Sequence, residues 1–149
     1  MEVDLFLNRL KGKSIPNLSK LPIDEAVCKQ GLLCAFESVV ESGFHQYIRN
    51  DFQQKQLYAV AHWLTAHERK WGLLLNGIPG NGKTTTLFAI RKVVDALKLE
   101  DPHPISEDKV LGFWIKTAKE LCEVAIKDKK AFEQYKRSAL LGIDELGLE

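Results

Sequence analysis

Eight consecutive residues, Gly77-Ile78-Pro79-Gly80-Asn81-Gly82-Lys83-Thr84, follow the pattern G-x-x-x-x-G-K-[ST] that cradles phosphate groups. Glycine lets the backbone curl so that successive N–H groups point inward at one anion. A helix beginning near Lys83 aims its unpaired N–H groups and the positive end of its dipole at the same charge. The expected cradle is therefore Gly77, Ile78, Pro79, Gly80, Asn81 and Gly82, continued by Lys83, Thr84 and Thr85 at the helix start. Lys83 would reach the β- and γ-phosphates and serve catalysis, and the Thr84 hydroxyl would coordinate Mg²⁺.

A second chemical signal is Leu140-Leu141-Gly142-Ile143-Asp144-Glu145, an apolar strand ending in two acids. Such a strand puts Asp144 at the carboxyl edge of a sheet, where open α/β folds bind ligands. Asp144 would hold Mg²⁺, and Glu145 would orient and polarise an attacking water.

Both segments need a scaffold, and the apolar pattern outlines one. Val3, Phe6, Leu7 and Leu10 make a helical stripe that Gly12 can end, and Ser14 to Pro22 reads as a linker. A helix from about Ile23 carries Leu32, Ala35, Phe36 and Val39 inward and stops at Gly43. Asp51 and Gln54 have capping-box spacing ahead of Leu57, Val60, Ala61 and Leu64. Gly72-Leu73-Leu74-Leu75 is too short for a helix and reads as a strand buried on both faces. After the glycine-rich turn, Leu87, Ile90, Val94 and Leu97 mark a helix, and Asp101-Pro102-His103-Pro104 breaks it. Val110 to Ile115 is the expected second strand. Thr117 and Glu120 form a capping box for a helix burying Leu121, Cys122 and Ala125. A charged helix near Ala131–Arg137 leads to the third strand, Ala139 to Ile143. Alternating strands and helices predict an α/β protein with a parallel sheet.

The chain has 149 residues, 45% hydrophobic and 28% charged, with a net charge of +1. That composition excludes wholesale disorder and fibrous classes and gives no global pull towards nucleic acid or membrane. No apolar run approaches the ~20 residues of a membrane span, and the acidic start Met1-Glu2-Val3-Asp4 is unlike a signal peptide. Three cysteines without CxxC spacing fit reduced thiols, so a cytoplasmic location is expected. One local bias stands out: Lys109 to Arg137 holds eight basic residues against four acidic ones. It reads either as a solvated helical face or as a track for a nucleic-acid backbone.

Taken together, these motifs resemble AAA+ P-loop ATPases of the bacterial helicase-loader (DnaC-like) and transposition-helper (IstB-like) type. The resemblance spans about residues 45–149. It rests on the helix Asp51 to His67, on Trp71-Gly72-Leu73-Leu74-Leu75-Asn76-Gly77 running into the loop, and on Leu141-Gly142-Ile143-Asp144-Glu145-Leu146-Gly147. It implies a P-loop NTPase fold: residues 46–149 as a partial AAA+ nucleotide-binding domain, its parallel sheet flanked by helices, after a helical partner-binding region at 1–45. It also implies Mg²⁺ and ATP as ligands, with adenine near Tyr47, Ile48 and Phe52. Lys116, Lys119, Lys127, Lys129 and Lys130 would contact single-stranded DNA. A replicative helicase or transposase would be the protein partner, and the full-length protein would be a homo-oligomer. That group continues beyond the third strand with a sensor strand, an arginine finger and a helical lid. The resemblance therefore implies a chain cut short, binding nucleotide weakly and hydrolysing it hardly at all.

The expected function is thus a Mg-ATP-binding ATPase module of a DNA-replication accessory protein. One rival is a nucleotide-gated adaptor that never hydrolyses ATP. The other is a P-loop small-molecule kinase, which direct pairing of Leu73–Leu75 with Leu140–Ile143 would favour.

Overall fold

The computed structural model describes residues 20–67, 72–101 and 109–145. The expected helix over Val3–Leu10, most of the Ser14–Pro22 linker and Trp71 lie outside these residues. In chain order the described elements are α1 (Glu25–Ser42), α2 (Asp51–Thr65), α3 (Lys83–Leu97), β1 (Trp114–Thr117), α4 (Ala118–Lys127), α5 (Lys129–Arg137) and β2 (Leu141–Asp144).

Three helices make the core because their apolar side chains recur at helical spacing. Cys28, Leu32, Ala35 and Phe36 of α1 meet Leu57, Val60, Ala61 and Leu64 of α2, and α1 also packs on Ala89, Ile90, Val93 and Val94 of α3. Each fully buried leucine here contributes roughly 1.5–3 kcal/mol relative to exposure. Leu21, at the end of the expected linker, is fully buried and its N–H donates to the Leu64 carbonyl at 2.7 Å. Glu25 adds a polar tie, accepting from Lys29 at 2.6 Å and meeting His62 Nδ1 at 2.9 Å. These bonds hold the Glu25 carboxyl below its ordinary range.

The expected several-stranded sheet of an α/β P-loop NTPase core is not what forms. The described residues contain five helices and one two-stranded parallel sheet, with Trp114 opposite Leu141 and Thr117 opposite Asp144. Residues 72–78, expected to begin with a buried strand, have no regular structure. Leu74 is 76% exposed and Leu73 is 37% exposed. A strand must place its backbone groups within about 4.8 Å of a neighbouring ladder, and no described strand pairs with this run. Only Leu75 packs against the core.

Smaller corrections have equally local causes. The second strand starts at Trp114 because Val110 instead forms an antiparallel bridge with Glu100, and the Leu111 N–H donates to the Leu99 carbonyl at 2.7 Å. Helix α2 is capped by Asn50, whose side chain accepts from the Phe52 N–H, rather than by an Asp51–Gln54 box. At α4 the Thr117–Glu120 capping box is present in both directions, at 2.8 and 3.1 Å. The backbone N–H of Thr117 holds the Glu120 carboxyl below its ordinary range. Cys122 is nevertheless exposed, and Leu121 and Ala125 are only half-buried. Helices α4 and α5 pack chiefly on each other and contribute nothing to the main core.

Candidate functional site

Helix α3 begins immediately after the glycine-rich turn, as its sequence requires. Gly80 and Gly82 adopt φ of 83° and 85°, the left-handed region that a side chain resists. Gly82 is further constrained by close neighbours. A methyl group there would lie 3.0 Å from the Gln53 side-chain nitrogen and 3.1 Å from the tip of the Phe36 ring. The core thus presses an α1 aromatic and the first turn of α2 directly against the loop. Neither Phe36 nor Gln53 stood out as a site residue in the sequence, because each contact is made across a long stretch of chain. The periodicity of Phe36 signals only a buried face.

Lys83 folds back over the loop. Its ammonium donates to the Gly77 carbonyl at 2.7 Å, the Ile78 carbonyl at 2.8 Å and Asn81 Oδ1 at 3.2 Å. Thr86 anchors the next turn, donating its hydroxyl to the Gly82 carbonyl at 2.8 Å. A cleft of about 300 Å³ adjoins the lysine, bounded by Gln56, Ala59, Val60, the Leu73–Asn76 segment, Asn81, Lys83 and Thr86.

The two chemical segments of the sequence meet. Thr84 Oγ1 donates to Asp144 Oδ2 at 2.9 Å, with Oδ1 at 3.2 Å, across 60 residues of chain. Asp144 reaches this point as the last residue of β2, opposite Thr117. The adjacent Glu145 donates its N–H to Asp144 Oδ1 at 3.0 Å and has a φ of 55°, unusual for a residue with a side chain.

Oxygen donors of this kind suit a small hard cation. Mg²⁺ takes one or two carboxylates and fills its remaining positions with water and phosphate. The Thr84 hydroxyl and the Asp144 carboxylate fit that requirement. The described residues hold no cluster of three or more His, Cys, Asp or Glu that would form a cage for a metal by themselves.

The remaining candidates separate into groups. Tyr47 is half-buried, its ring centroid 5.7 Å from that of Phe36, and burial pushes its phenol above the ordinary range. Its hydroxyl is buried without a hydrogen-bond partner among the described residues. Ile48 and Phe52 are 77% and 65% exposed. Among the lysines, Lys116 lies 5.8 Å from the Tyr135 ring centroid and 3.9 Å from Glu120, whereas Lys127 lies 3.6 Å from Glu123. Lys119, Lys129 and Lys130 are exposed. Lys116 lies in β1, Lys119 in the first turn of α4, Lys127 at the end of α4, and Lys129 and Lys130 at the start of α5.

No helix among the described residues is long and apolar enough to cross a membrane. No protein-family model, curated protein or solved structure matches the chain.

Proposed function

We propose that the chain binds Mg-ATP through Gly77–Thr85 and Asp144, as the ATPase module of a cytoplasmic DNA-replication or transposition accessory protein. The observation that carries the nucleotide part is the Thr84–Asp144 contact. A glycine-rich turn with the G-x-x-x-x-G-K-[ST] pattern and an acid ending a strand, widely separated in sequence, meet at 2.9 Å. Its setting in replication or transposition rests on the sequence resemblance alone. So do the lysine contacts to single-stranded DNA, the helicase or transposase partner and the adenine position at Tyr47, Ile48 and Phe52.

In this reading the loop N–H groups and the Lys83 ammonium bind the phosphate tail and offset its charge. Thr84 and Asp144 would hold Mg²⁺, which when bound would act as a Lewis acid towards the phosphate tail. For hydrolysis, Glu145 takes a proton from a water whose oxygen bonds to the γ-phosphorus as the bond to ADP breaks.

Isothermal calorimetry with Mg-ATP tests the binding step. Lys83→Ala should weaken binding about 10- to 100-fold, the range for losing a charge-assisted bond, while helical circular dichroism stays unchanged. Equal affinity in the variant and the parent protein refutes the site. Multiple-turnover phosphate release by the parent protein separates an ATPase from an adaptor that uses ATP only as a conformational ligand.

A further inference from the structure

The three bonds made by the Lys83 ammonium are unequal, and the difference has a functional consequence. An ammonium has three N–H donors, and all three are used within the loop. Two go to backbone carbonyls of one arm, Gly77 and Ile78, at 2.7 and 2.8 Å. The third goes to a side chain of the other arm, Asn81, at 3.2 Å. Any phosphate that takes a bond from Lys83 has to displace one of them. The longest is the weakest, and it is the only one of the three whose acceptor can leave by side-chain rotation rather than by unfolding the turn.

Two further observations concern Asn81. Its carboxamide lies directly against Gly77, so close that a methyl group on Gly77 would collide with it. The side chain therefore spans the loop from Asn81 back to its first residue. Asn81 also borders the 300 Å³ cleft beside Lys83.

We infer that Asn81 is a positioning residue that acts through Lys83. Its amide oxygen occupies the lysine's third N–H until a phosphate group replaces it, and that exchange sets how tightly the loop takes a polyphosphate ligand. The inference rests on the nucleotide reading above for the identity of the ligand, but the capping of Lys83 is testable without any nucleotide.

The experiment uses the full chain with Asn81→Ala and Asn81→Asp. Acetylation of Lys83, followed by mass spectrometry without nucleotide, should run about 3- to 10-fold faster in Asn81→Ala, because one ammonium hydrogen bond is gone. Asn81→Asp keeps an acceptor, so its labelling should stay as slow as in the parent protein or slower. With Mg-ATP, Asn81→Ala should bind about 3- to 10-fold tighter. Asn81→Asp should bind at least about tenfold weaker, since its carboxylate pairs with the lysine and repels phosphate. A purely structural role for Asn81 would move both variants in the same direction. Labelling of Asn81→Ala at the parent rate, or weaker Mg-ATP binding by it, overturns the inference. If the parent protein binds Mg-ATP while labelling is insensitive to Asn81, the capping fails and the nucleotide reading stands. If labelling responds as expected but no variant binds Mg-ATP, the nucleotide reading fails and the capping stands.

Discussion

The Thr84–Asp144 contact can be measured as a coupling energy. Thr84→Val removes the hydroxyl at nearly constant shape, and Asp144→Ala removes the carboxylate, so that each single variant breaks the bond. The hydroxyl has one proton, so its distances of 2.9 and 3.2 Å to the two carboxylate oxygens amount to a single bond. A bond to a charged acceptor contributes about 1.5–3 kcal/mol when sheltered from water. Thr84 is exposed and Asp144 only half-buried, so water competes. We expect about 1 kcal/mol of coupling in a double-mutant cycle followed by urea denaturation and circular dichroism, with no metal or nucleotide present. Adding Mg-ATP should enlarge the coupling. Both side chains would then bind one cation, so after the first substitution has removed that cation's grip the second costs little more. Calorimetric titration of the four proteins should show each single variant losing its Mg²⁺ dependence. The double variant should be no weaker than the worse single one, a departure from additivity of about 2 kcal/mol. Effects additive to within about 0.3–0.5 kcal/mol, with and without Mg-ATP, would refute the argument that these residues share a ligand. Affinity for ATP that is indifferent to EDTA in the parent protein would refute it too.

Two other perturbations probe what holds the site. Gly142→Ala places a methyl group 2.9 Å from the tip of the buried Phe113 ring and 3.4 Å from Leu87. It should destabilise the fold by about 1–3 kcal/mol through overpacking and weaken Mg-ATP binding as well; urea midpoints within error of the parent protein would contradict this. Cys28 is fully buried and its thiol is pushed up to about 11 by desolvation, whereas Cys34 and Cys122 are exposed. Ellman's reagent at pH 8 should therefore titrate two thiols quickly and the third only after denaturation, and three fast thiols would show that the inward face of α1 opens readily.

Much of this arrangement was legible because it depends on local rules. The spacing of Leu57, Val60, Ala61 and Leu64 identifies one buried stripe, and all four residues are in the core. Thr117 and Glu120 sit three residues apart and make the bonds that this spacing allows. The glycine-rich turn was readable for the same reason, since left-handed φ angles at Gly80 and Gly82 demand glycine whatever surrounds them. The run Gly72–Leu75 reads as a strand but forms none, because an apolar run says only that burial would be favourable. Whether anything buries it depends on neighbours contributed by other parts of the chain. Asn50 and Asp51 are both good capping residues one position apart, so spacing does not decide between them, and the chain uses Asn50. Gln53 and Phe36 had no local signal for their contact with Gly82.

The distance between Thr84 and Asp144 is set by packing rather than by an extended sheet. Leu87, one turn along α3 from Lys83, is half-buried and lies close to Gly142, two residues before Asp144. Phe113, just before β1, fills the other side of the same gap. Strand β2 is thus held to α3 by a wedge of two side chains over a residue that has none. On the far side, α3 is fixed to α1 through Ala89 and Val93, and α1 brings Phe36 to the loop. The loop and the acid consequently belong to one packed unit, although they sit on different secondary elements. Two strands suffice to present the carboxylate. A side chain at Gly142 or Gly82 would start 2.9 or 3.1 Å from the tip of a neighbouring aromatic ring, so added bulk at either would strain this packing.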